Sequence, residues 1–316
     1  MKTKKSPGLK NKTVFVRAKK ALGQNFLKSE IALKKIIEAG NIRPDDVILE
    51  IGPGKGVLTK KLLEKSGLVI AVEKDRELFE FLGEKFAKEI AEKKLILVNE
   101  DILNFNLKQD IALQNIAQRD GASIAIRQQA NMRVEQNNIL RSYKIIANIP
   151  YNITGAILKK FLTGKNQPAS MVLMVQHEVA KRIIARNPRH GGAGGKESIL
   201  SISVKAYGEP KLIMKVPARY FSPAPKVDSA VIAINNISRK TFIENNINEE
   251  KFWEIVKAGF AHKRKKLNGN LRSLFGNNSL KILTSAGIKE NARAEDVSLK
   301  EWLTIMTEKE KTPLWE

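Results

Sequence analysis

The sequence predicts an α/β protein: a parallel sheet flanked by helices, followed by a smaller part that is entirely helical. Short apolar runs such as Val47–Ile51 alternate with stretches whose apolar residues recur at helical spacing, such as Ser29–Ala39. This alternation is typical of parallel strands joined by right-handed helical crossovers. After about Arg239 the helical spacing continues and no further strand pattern follows. We therefore expect two domains, the first over residues 1–237 and the second over 238–316.

The predicted elements follow a regular order. Seven apolar runs are expected to form one sheet: Val47–Ile51, Leu68–Val72, Leu95–Val98, Tyr143–Ala147, Met171–Val175, Leu212–Val216 and Ser229–Ile234. Helices are expected at Ser29–Ala39, Val57–Lys65, Arg76–Glu92, 154–163, 178–186, 197–207, Phe242–Phe260, Asn270–Phe275, Ser279–Ala286 and Leu299–Lys309. The Gln- and Asn-rich stretch 107–141 fits neither pattern and is interpreted as an insertion, and His190–Gly195 as a glycine-rich loop.

The charge balance indicates a polyanionic partner. The 316 residues include 56 Lys and Arg against 33 Asp and Glu, which gives a net charge of +23. Eight of the basic residues fall within residues 1–20 and six within Lys257–Arg272, and neither run contains an acid. Taken alone, either run could equally be a solvated tail or a solvated helix face that binds no nucleic acid. Together with the net charge, they predict binding to nucleic acid that weakens as salt rises.

The composition argues against several other classes of protein. The basic N-terminal residues lack the apolar stretch and cleavage site of a signal peptide, and no run reaches the roughly 18 apolar residues of a membrane span. We expect a cytoplasmic protein that acts as a monomer. The chain has no Cys, and His177, His190 and His262 lack the spacing of metal ligands. A zinc deaminase acting on adenine is thereby disfavoured.

A glycine-rich loop, Glu50–Gly56 with the sequence EIGPGKG, lies between a predicted strand and a predicted helix. Open parallel sheets bind ligands at this end of their strands, and glycines let the backbone approach a ligand closely. A dinucleotide site needs G-x-G-x-x-G with amides aimed at a pyrophosphate, whereas the spacing here is G-x-G-x-G and Pro53 has no amide hydrogen. A nucleoside cofactor without phosphates, S-adenosylmethionine, fits this loop better.

Two acidic residues follow the next two predicted strands. Glu73 ends the second strand, 21 residues after Gly52, where a carboxylate is able to accept both hydroxyls of a ribose. Asp101 follows the third strand, where it is able to accept a hydrogen bond from an adenine amino group. Either residue alone could simply cap a helix. Together with the glycine loop after the first strand, they place candidate ligand-binding residues at three consecutive strand ends, which favours a cofactor site.

The tetrapeptide Asn148–Tyr151, with the sequence NIPY, follows the fourth predicted strand and faces the same crevice. An exocyclic adenine amine is a poor nucleophile because its lone pair is delocalised into the ring. Acceptors under its two N–H bonds would direct the lone pair at a sulfonium methyl, and the Asn148 side-chain oxygen and a Pro150 carbonyl kept free by the local geometry could supply them. Tyr151 would stack on the flipped base, an interaction of about 1–3 kcal/mol. An isolated N-x-P-Y is otherwise an ordinary turn.

Seven motifs occur along the chain in a fixed order: Gly23–Leu27, Glu50–Gly54, Glu73, Asp101, Asn148–Tyr151, Phe221–Ser229 (FSPAPKVDS) and His262–Leu267 (HKRKKL). In this order they resemble the ribosomal RNA adenine N6,N6-dimethyltransferase family. The resemblance covers nearly the whole chain apart from the insertion and the last stretch. It implies a Rossmann-like, seven-stranded, S-adenosylmethionine-dependent methyltransferase domain and a small all-helical C-terminal domain that binds RNA.

The resemblance also implies roles for individual residues. Gly52 would contact the methionine part of the cofactor, Asn148 would lie near both the methyl group and the target amine, and Phe221 would stack on the base opposite Tyr151 unless it is an ordinary core residue. The implied cofactor-binding residues are Asn25, Leu27, Gly52, Gly54, Glu73 at the ribose, Asp101 with Ile102 at the adenine, and Asn148; the implied catalytic residues are Asn148, Pro150, Tyr151 and Phe221; the implied RNA-binding residues are Lys263, Arg264, Lys265 and Lys266.

Members of the family modify either small-subunit ribosomal RNA, as a housekeeping step, or large-subunit RNA, which confers antibiotic resistance. The run Phe221–Ser229 and the basic run after Phe260 resemble the small-subunit type. The resemblance therefore implies dimethylation of adenosines in the 16S ribosomal RNA of the immature small subunit. Three alternatives stay open: the large-subunit type, an NAD-dependent oxidoreductase and a non-catalytic ribosome assembly factor.

Overall fold

The structure is a computed structural model that describes residues 18–19, 22–107, 142–185 and 195–311. The predicted insertion lies outside these ranges except for Leu107, and the predicted glycine-rich loop except for Gly195. The basic N-terminal run also lies outside them except for Ala18 and Lys19.

Nine strands are defined in the described part of the chain. They are β1 Phe26–Leu27, β2 Val47–Ile51, β3 Leu68–Glu73, β4 Leu95–Asn99, β5 Tyr143–Asn148, β6 Ser170–Gln176, β7 Glu209–Val216, β8 Phe221–Ser222 and β9 Ser229–Asn235. Seven of them form one sheet in the order β4-β3-β2-β5-β6-β9-β7, and β1 pairs with β8 in a separate two-stranded sheet. The prediction of a seven-stranded sheet is confirmed.

One strand of the large sheet runs against the others. Strands β2 to β6 pair in parallel, whereas β9 is antiparallel to both β6 and β7. The prediction of a wholly parallel sheet is wrong at this strand. The connection 217–228 contains one three-residue helical turn and β8 in place of a crossover helix. A return without a helical crossover brings the chain back beside β7 in the opposite direction.

Twelve helices are defined in the same ranges, and none has the length and apolar character required to cross a membrane. They are α1 Glu30–Gly40, α2 Val57–Leu63, α3 Arg76–Lys85, α4 Ala87–Ala91, α5 Thr154–Thr163, α6 His177–Ile184, α7 Ile199–Tyr207, α8 Lys240–Glu244, α9 Glu249–Gly259, α10 Leu267–Phe275, α11 Ser279–Ser285 and α12 Leu299–Lys311.

Two helices predicted as continuous are each divided in two. The first is interrupted at Phe86, which separates α3 from α4. The second is interrupted between α8 and α9, where Asn246 has a left-handed φ of 51° and the Asn248 side chain accepts a hydrogen bond from the amide of Lys251 at 3.0 Å. Asparagine favours both left-handed and helix-capping positions, which explains the interruption.

The two faces of the sheet bury different side chains. Because successive residues of a strand point to opposite faces, Leu49 belongs to one apolar cluster and Ile48 to the other. The cluster that contains Leu49 extends into the C-terminal helices, where Phe252 and Trp302 are fully buried. One continuous cluster therefore supports both parts of the chain, and the domain boundary near residue 237 stays a prediction.

Candidate active site

A cleft opens at the carboxyl ends of β2, β3 and β5, where open α/β sheets bind ligands. Its walls come from the loop after β2, the ends of β3 and β4, the NIPY turn after β5 and the N-terminal segment 22–27. Gly52 and Asn148 line this one cleft. Ten of the residues singled out from the sequence line it: Asn25, Leu27, Gly52, Gly54, Glu73, Asp101, Ile102, Asn148, Pro150 and Tyr151.

The glycine loop follows a path that side chains would obstruct. Gly54 and Gly56 have φ values of 59° and 71°, in the left-handed region that glycine tolerates best. A Cβ atom at Gly54 would lie 3.0 Å from the ring of Phe26, and one at Gly56 would lie 2.5 Å from the ring of Phe86. The glycines therefore let Phe26 and Phe86 support the loop from two sides.

The amides of the loop glycines are already used within the protein. They donate as follows: Gly52 to the Val72 carbonyl at 2.9 Å, Gly54 to Oε2 of Glu73 at 3.1 Å, and Gly56 to the Pro53 carbonyl at 2.9 Å. A pyrophosphate site requires amides that point at the ligand. The loop therefore fits a cofactor without phosphates better than a dinucleotide.

Glu73 is a buried residue that braces this loop. Its Oε2 accepts the Gly54 amide and its Oε1 accepts the Asp75 amide at 2.9 Å. Burial raises the pKa of Glu73, and the two amide hydrogen bonds oppose that rise. Because each carboxylate oxygen has a second lone pair, bracing the loop is compatible with accepting ribose hydroxyls.

Asp101 follows β4 and is held from two sides. Its Oδ2 forms an ion pair with Lys74 at 2.8 Å, and its Oδ1 accepts the amide of Leu103 at 2.9 Å. The hydrogen bond from Lys74, followed by that from Leu103, holds the pKa of Asp101 below its usual value. Lys74 also lines the cleft and was not predicted, although it directly follows Glu73. Both predicted acids thus accept main-chain amides while lining the cleft.

One wall of the cleft is formed by residues 22–27 of a segment that we call the N-terminal strap, residues 22–28. One end of it pairs as β1 with β8. Near the other end, Asp75 accepts hydrogen bonds from Nζ of Lys19 at 2.8 Å and from Nε2 of Gln24 at 2.9 Å. Burial would raise the pKa of Asp75, but these bonds and the amide of Glu77 outweigh it and hold the pKa low. Lys19, counted in the basic N-terminal run, therefore pairs with the same carboxylate that holds Gln24 of the strap.

The strap also orients Asn148. Nδ2 of Asn148 donates to the main-chain carbonyl of Asn25 at 3.0 Å. A carbonyl oxygen only accepts, so this contact selects the nitrogen end of the amide and leaves Oδ1 for another donor. No described residue donates to Oδ1. The contact was not predictable from residue types, because the partner is a main-chain atom 123 residues away.

The remaining part of the NIPY turn differs from expectation in one respect. The Pro150 carbonyl accepts the amide of Ile153 at 3.3 Å, so the prediction that this oxygen is kept free is wrong; only its second lone pair remains. Tyr151 is half-buried, and its hydroxyl lies 2.5 Å from Oγ of Ser229.

Phe221 does not line the cleft. Its side chain is 2% exposed and belongs to the apolar cluster that contains Ile48, and its backbone pairs with Leu27. This position favours the core interpretation. A stacking role for Phe221 on a target base requires a rearrangement and stays a prediction.

Glu50 was noted from the sequence only as part of the glycine-loop motif. Its side chain lines the cleft, is 1% exposed, and has no hydrogen-bonding partner for Oε2 among the described residues. Burial raises the pKa of Glu50 to about 8; the nearby Thr59 hydroxyl opposes this rise and the charge of Glu73 adds to it. An acid inside the apolar run VILEI was the available signal. An unpartnered buried oxygen on the cleft wall fits a polar ligand.

The basic residues His262–Lys266 connect α9 to α10 and are all exposed. Lys266 lies 3.8 Å from Glu290, whereas Lys263, Arg264 and Lys265 have no acidic partner in the described part of the chain. Cations that no acid neutralises suit phosphate groups. Their contact with RNA stays a prediction.

Comparison with known sequences identifies the family. The chain matches the family described as ribosomal RNA adenine dimethylase over residues 15–311. It is 37% identical over 296 residues to ribosomal RNA small subunit methyltransferase A of Dehalococcoides mccartyi, covering 93% of this chain and 89% of the relative. It is 36% identical over 292 residues to the protein of the same name from Fusobacterium nucleatum, covering 91% of this chain and 96% of the relative.

Solved structures support the fold. The chain resembles the 23S rRNA methyltransferase ErmE with a TM-score of 0.65 at 23% identity, over 90% of this chain and all of that structure. It resembles a dimethyladenosine transferase from Plasmodium falciparum with a TM-score of 0.65 at 22% identity, over 90% of this chain and 98% of that structure. With a family match across almost its whole length, the chain belongs to the ribosomal RNA adenine dimethylase family.

Proposed function

We propose that the chain uses S-adenosylmethionine to dimethylate the exocyclic N6 amine of adenosines in small-subunit ribosomal RNA. It acts on the immature small subunit, in the cytoplasm and as a monomer. The observation that carries the proposal is the orientation of Asn148. Its side-chain oxygen has no donor among the described residues, and it lies in a cleft that the glycine loop also lines. The names of the relatives, at 36–37% identity, support the choice of small-subunit RNA.

The cleft around the glycine loop fits an adenosyl cofactor. When bound, the cofactor supplies an electrophilic methyl group on a sulfonium. In this proposal Glu73 accepts the ribose hydroxyls, and the ionised Asp101, beside the buried Ile102, accepts the adenine amino group. Support comes from their shared position at the carboxyl ends of neighbouring strands and from the amides of Gly52, Gly54 and Gly56, which donate within the protein instead of to a phosphate.

Asn148 and Pro150 orient the target amine. Oδ1 of Asn148 accepts one N–H of the adenine, and the Pro150 carbonyl accepts the other with the lone pair that Ile153 leaves. These contacts favour a pyramidal nitrogen whose lone pair is available for bond formation. As the methyl group passes from sulfur to nitrogen, the nitrogen becomes positively charged and both acceptors bind its hydrogens more strongly.

No strong base is required for this step. The methylated ammonium is acidic enough to lose its proton to water. In the second round the amine keeps one N–H, so only one of the two acceptors binds it. Catalysis then consists of orientation and electrostatic stabilisation by fixed acceptors. Tyr151 supplies the surface on which the flipped base stacks, worth about 1–3 kcal/mol against an unstacking cost of a few kcal/mol.

The basic surface at His262–Lys266 supplies sequence-independent affinity for the RNA. Its exposed cations displace counterions from the phosphates, so binding falls as salt rises. The net charge of +23 adds attraction at long range.

The test measures methyl transfer to small subunits that lack this modification. Asn148→Ala should lower kcat by about 10²-fold or more, which is typical when one preorganised hydrogen-bonding group is removed from a transition state. The affinity for S-adenosylhomocysteine should change little, because the lost contact acts on the transition state. Asn291→Ala, at an exposed position outside the cleft lining, should behave like wild type.

Other outcomes would indicate other functions. An inactive wild-type chain, or an Asn148→Ala variant as active as wild type, would indicate a non-catalytic assembly factor. Transfer to large rather than small subunits would indicate the large-subunit type. Tight NADH binding without binding of S-adenosylhomocysteine would overturn the cofactor assignment.

A further inference from the structure

The Tyr151 hydroxyl has one hydrogen-bonding partner among the described residues, the Ser229 hydroxyl at 2.5 Å. Ser229 is completely buried, and its hydroxyl makes no other hydrogen bond in the described residues. A buried hydroxyl with one partner depends on that partner for its hydrogen bonding. The two side chains, 78 residues apart in sequence, therefore form an isolated pair at the edge of the cleft.

The Ser229 side of this pair is rigid. Ser229 begins β9 and pairs with Gln176 on one side and with Val216 on the other. The preceding residue is also fixed, because the Asp228 carbonyl accepts the amide of His177 at 2.9 Å and its Oδ1 accepts the amide of Ala218 at 3.0 Å. Two strands and two loop contacts thus determine where the Ser229 hydroxyl lies.

The Tyr151 side is less constrained. Tyr151 begins a three-residue helical turn, and its main-chain carbonyl accepts the Thr154 hydroxyl at 3.1 Å. The ring itself turns about two side-chain torsions, and among the described residues the hydrogen bond to Ser229 is the one that holds its hydroxyl end. Burial raises the pKa of Tyr151, so the phenol stays protonated at neutral pH and keeps this contact.

We propose that Ser229 is a positioning residue that fixes the plane of the Tyr151 ring, and thereby the surface on which the target base stacks. This inference rests on the proposed function, since it assumes that Tyr151 contacts the flipped adenine. Ser229 acts through Tyr151 and does not touch the base itself. A ring held in one orientation before the RNA arrives loses less conformational freedom on binding.

The test compares Ser229→Thr with Ser229→Val, two side chains of nearly equal size of which only threonine keeps the hydroxyl. Ser229→Val should transfer methyl groups to unmodified small subunits about tenfold more slowly than Ser229→Thr, the effect expected from one hydrogen bond. Both variants should bind S-adenosylhomocysteine equally well. Tyr151→Phe should match Ser229→Val, and the double variant should be no slower than either single variant.

Ser201→Ala is the control for stability. Ser201 is a second completely buried serine, and its hydroxyl caps α7 through Ser198, outside the cleft lining. Its loss should lower the melting temperature without changing methyl transfer. Ser229→Ala serves as a further comparison with wild type if the larger side chains prevent folding, and it should also lower methyl transfer about tenfold.

Equal rates for Ser229→Thr and Ser229→Val would overturn the inference. So would a double variant in which the rate losses of Ser229→Val and Tyr151→Phe combine as independent effects. Failure of the proposed function has a different signature. In that case Tyr151→Ala would retain the wild-type rate, or the wild-type chain would transfer no methyl groups.

Discussion

Replacing Glu50 with glutamine should remove a loss of stability that the wild-type protein undergoes as pH rises. Glu50 is 1% exposed, and its Oε2 has no hydrogen-bonding partner among the described residues. An ionised carboxylate is costly in such a place, because burial removes the water that would solvate its charge. Burial accordingly raises the pKa of Glu50 from 4.5 to about 8 in the folded protein.

The magnitude follows from the two pKa values. Above pH 4.5 the unfolded chain loses a proton that the folded protein keeps, so unfolding becomes more favourable as pH rises. Above about pH 8 both states are ionised and the loss stops growing. At about 1.4 kcal/mol per pH unit, the whole interval costs about 5 kcal/mol of folding free energy. Glutamine has no proton to lose and should escape this cost.

Denaturant unfolding of the cofactor-free protein between about pH 5 and about pH 9, followed by tryptophan fluorescence, measures the effect. The free energy of unfolding of Glu50→Gln, relative to wild type, should increase by several kcal/mol across this range. Glu84→Gln, at an exposed position on α3, should show no such increase. A difference between Glu50→Gln and wild type that is the same at every pH would refute the reasoning, since Glu50 would then ionise normally in the fold.

Three further perturbations test other parts of the structure. Gly259→Ala would place a Cβ atom 2.3 Å from the buried ring of Trp302 and should lower the free energy of unfolding by about 1–3 kcal/mol. Gly269→Ala, whose new Cβ atom would have nothing within 4 Å, should be neutral or stabilising. Equal effects of the two substitutions in denaturation would contradict the packing argument. Asp75→Asn removes the ion pair with Lys19 and should speed release of S-adenosylhomocysteine up to about tenfold in stopped-flow measurements. Lys19→Met should have the same effect. Unchanged release from both variants would show that the strap does not contribute to cofactor binding. Changing Lys263, Arg264 and Lys265 together to Gln should weaken RNA binding and reduce the slope of log K against log salt by about 2–3, while an unchanged slope would make the run an ordinary solvated surface.

The residues of the cleft that could be predicted are those at strand ends. Parallel strands bring their carboxyl ends to one edge of the sheet, so Gly52, Glu73 and Asn148 were expected to meet although they are far apart in sequence. Their meeting required only the order of strands and helices, which hydrophobic periodicity indicates well. The antiparallel β9 was missed by the same reasoning, because strand patterns carry no sign of direction. The missing crossover helix between β7 and β9 was the available signal.

The contacts that set side-chain orientation could not be predicted. The carbonyl that orients Asn148 belongs to Asn25, and every residue type offers a carbonyl. Lys19 looked like any other lysine of a basic run, and only its proximity to Asp75 gives it a separate role. The stacking role of Phe221 was predicted from its motif. Its burial depends on the pairing of β8 with β1, and a strand of two residues is too short to recognise from the sequence.

The strap and the two loops after β5 and β7 behave as one hydrogen-bonded unit, which gives a physical reason for the three motifs they carry. Pairing of Leu27 with Phe221 sets the register of the strap. That register determines where the Asn25 carbonyl lies, and this carbonyl in turn selects which end of the Asn148 amide is left for a ligand. A shift of one residue along β8 would reverse which strap side chains face the core and move the carbonyl by about 3.3 Å, beyond hydrogen-bonding reach of Asn148. The orientation of the Asn148 amide is therefore decided by main-chain pairing at a distance from the β-strand that carries it.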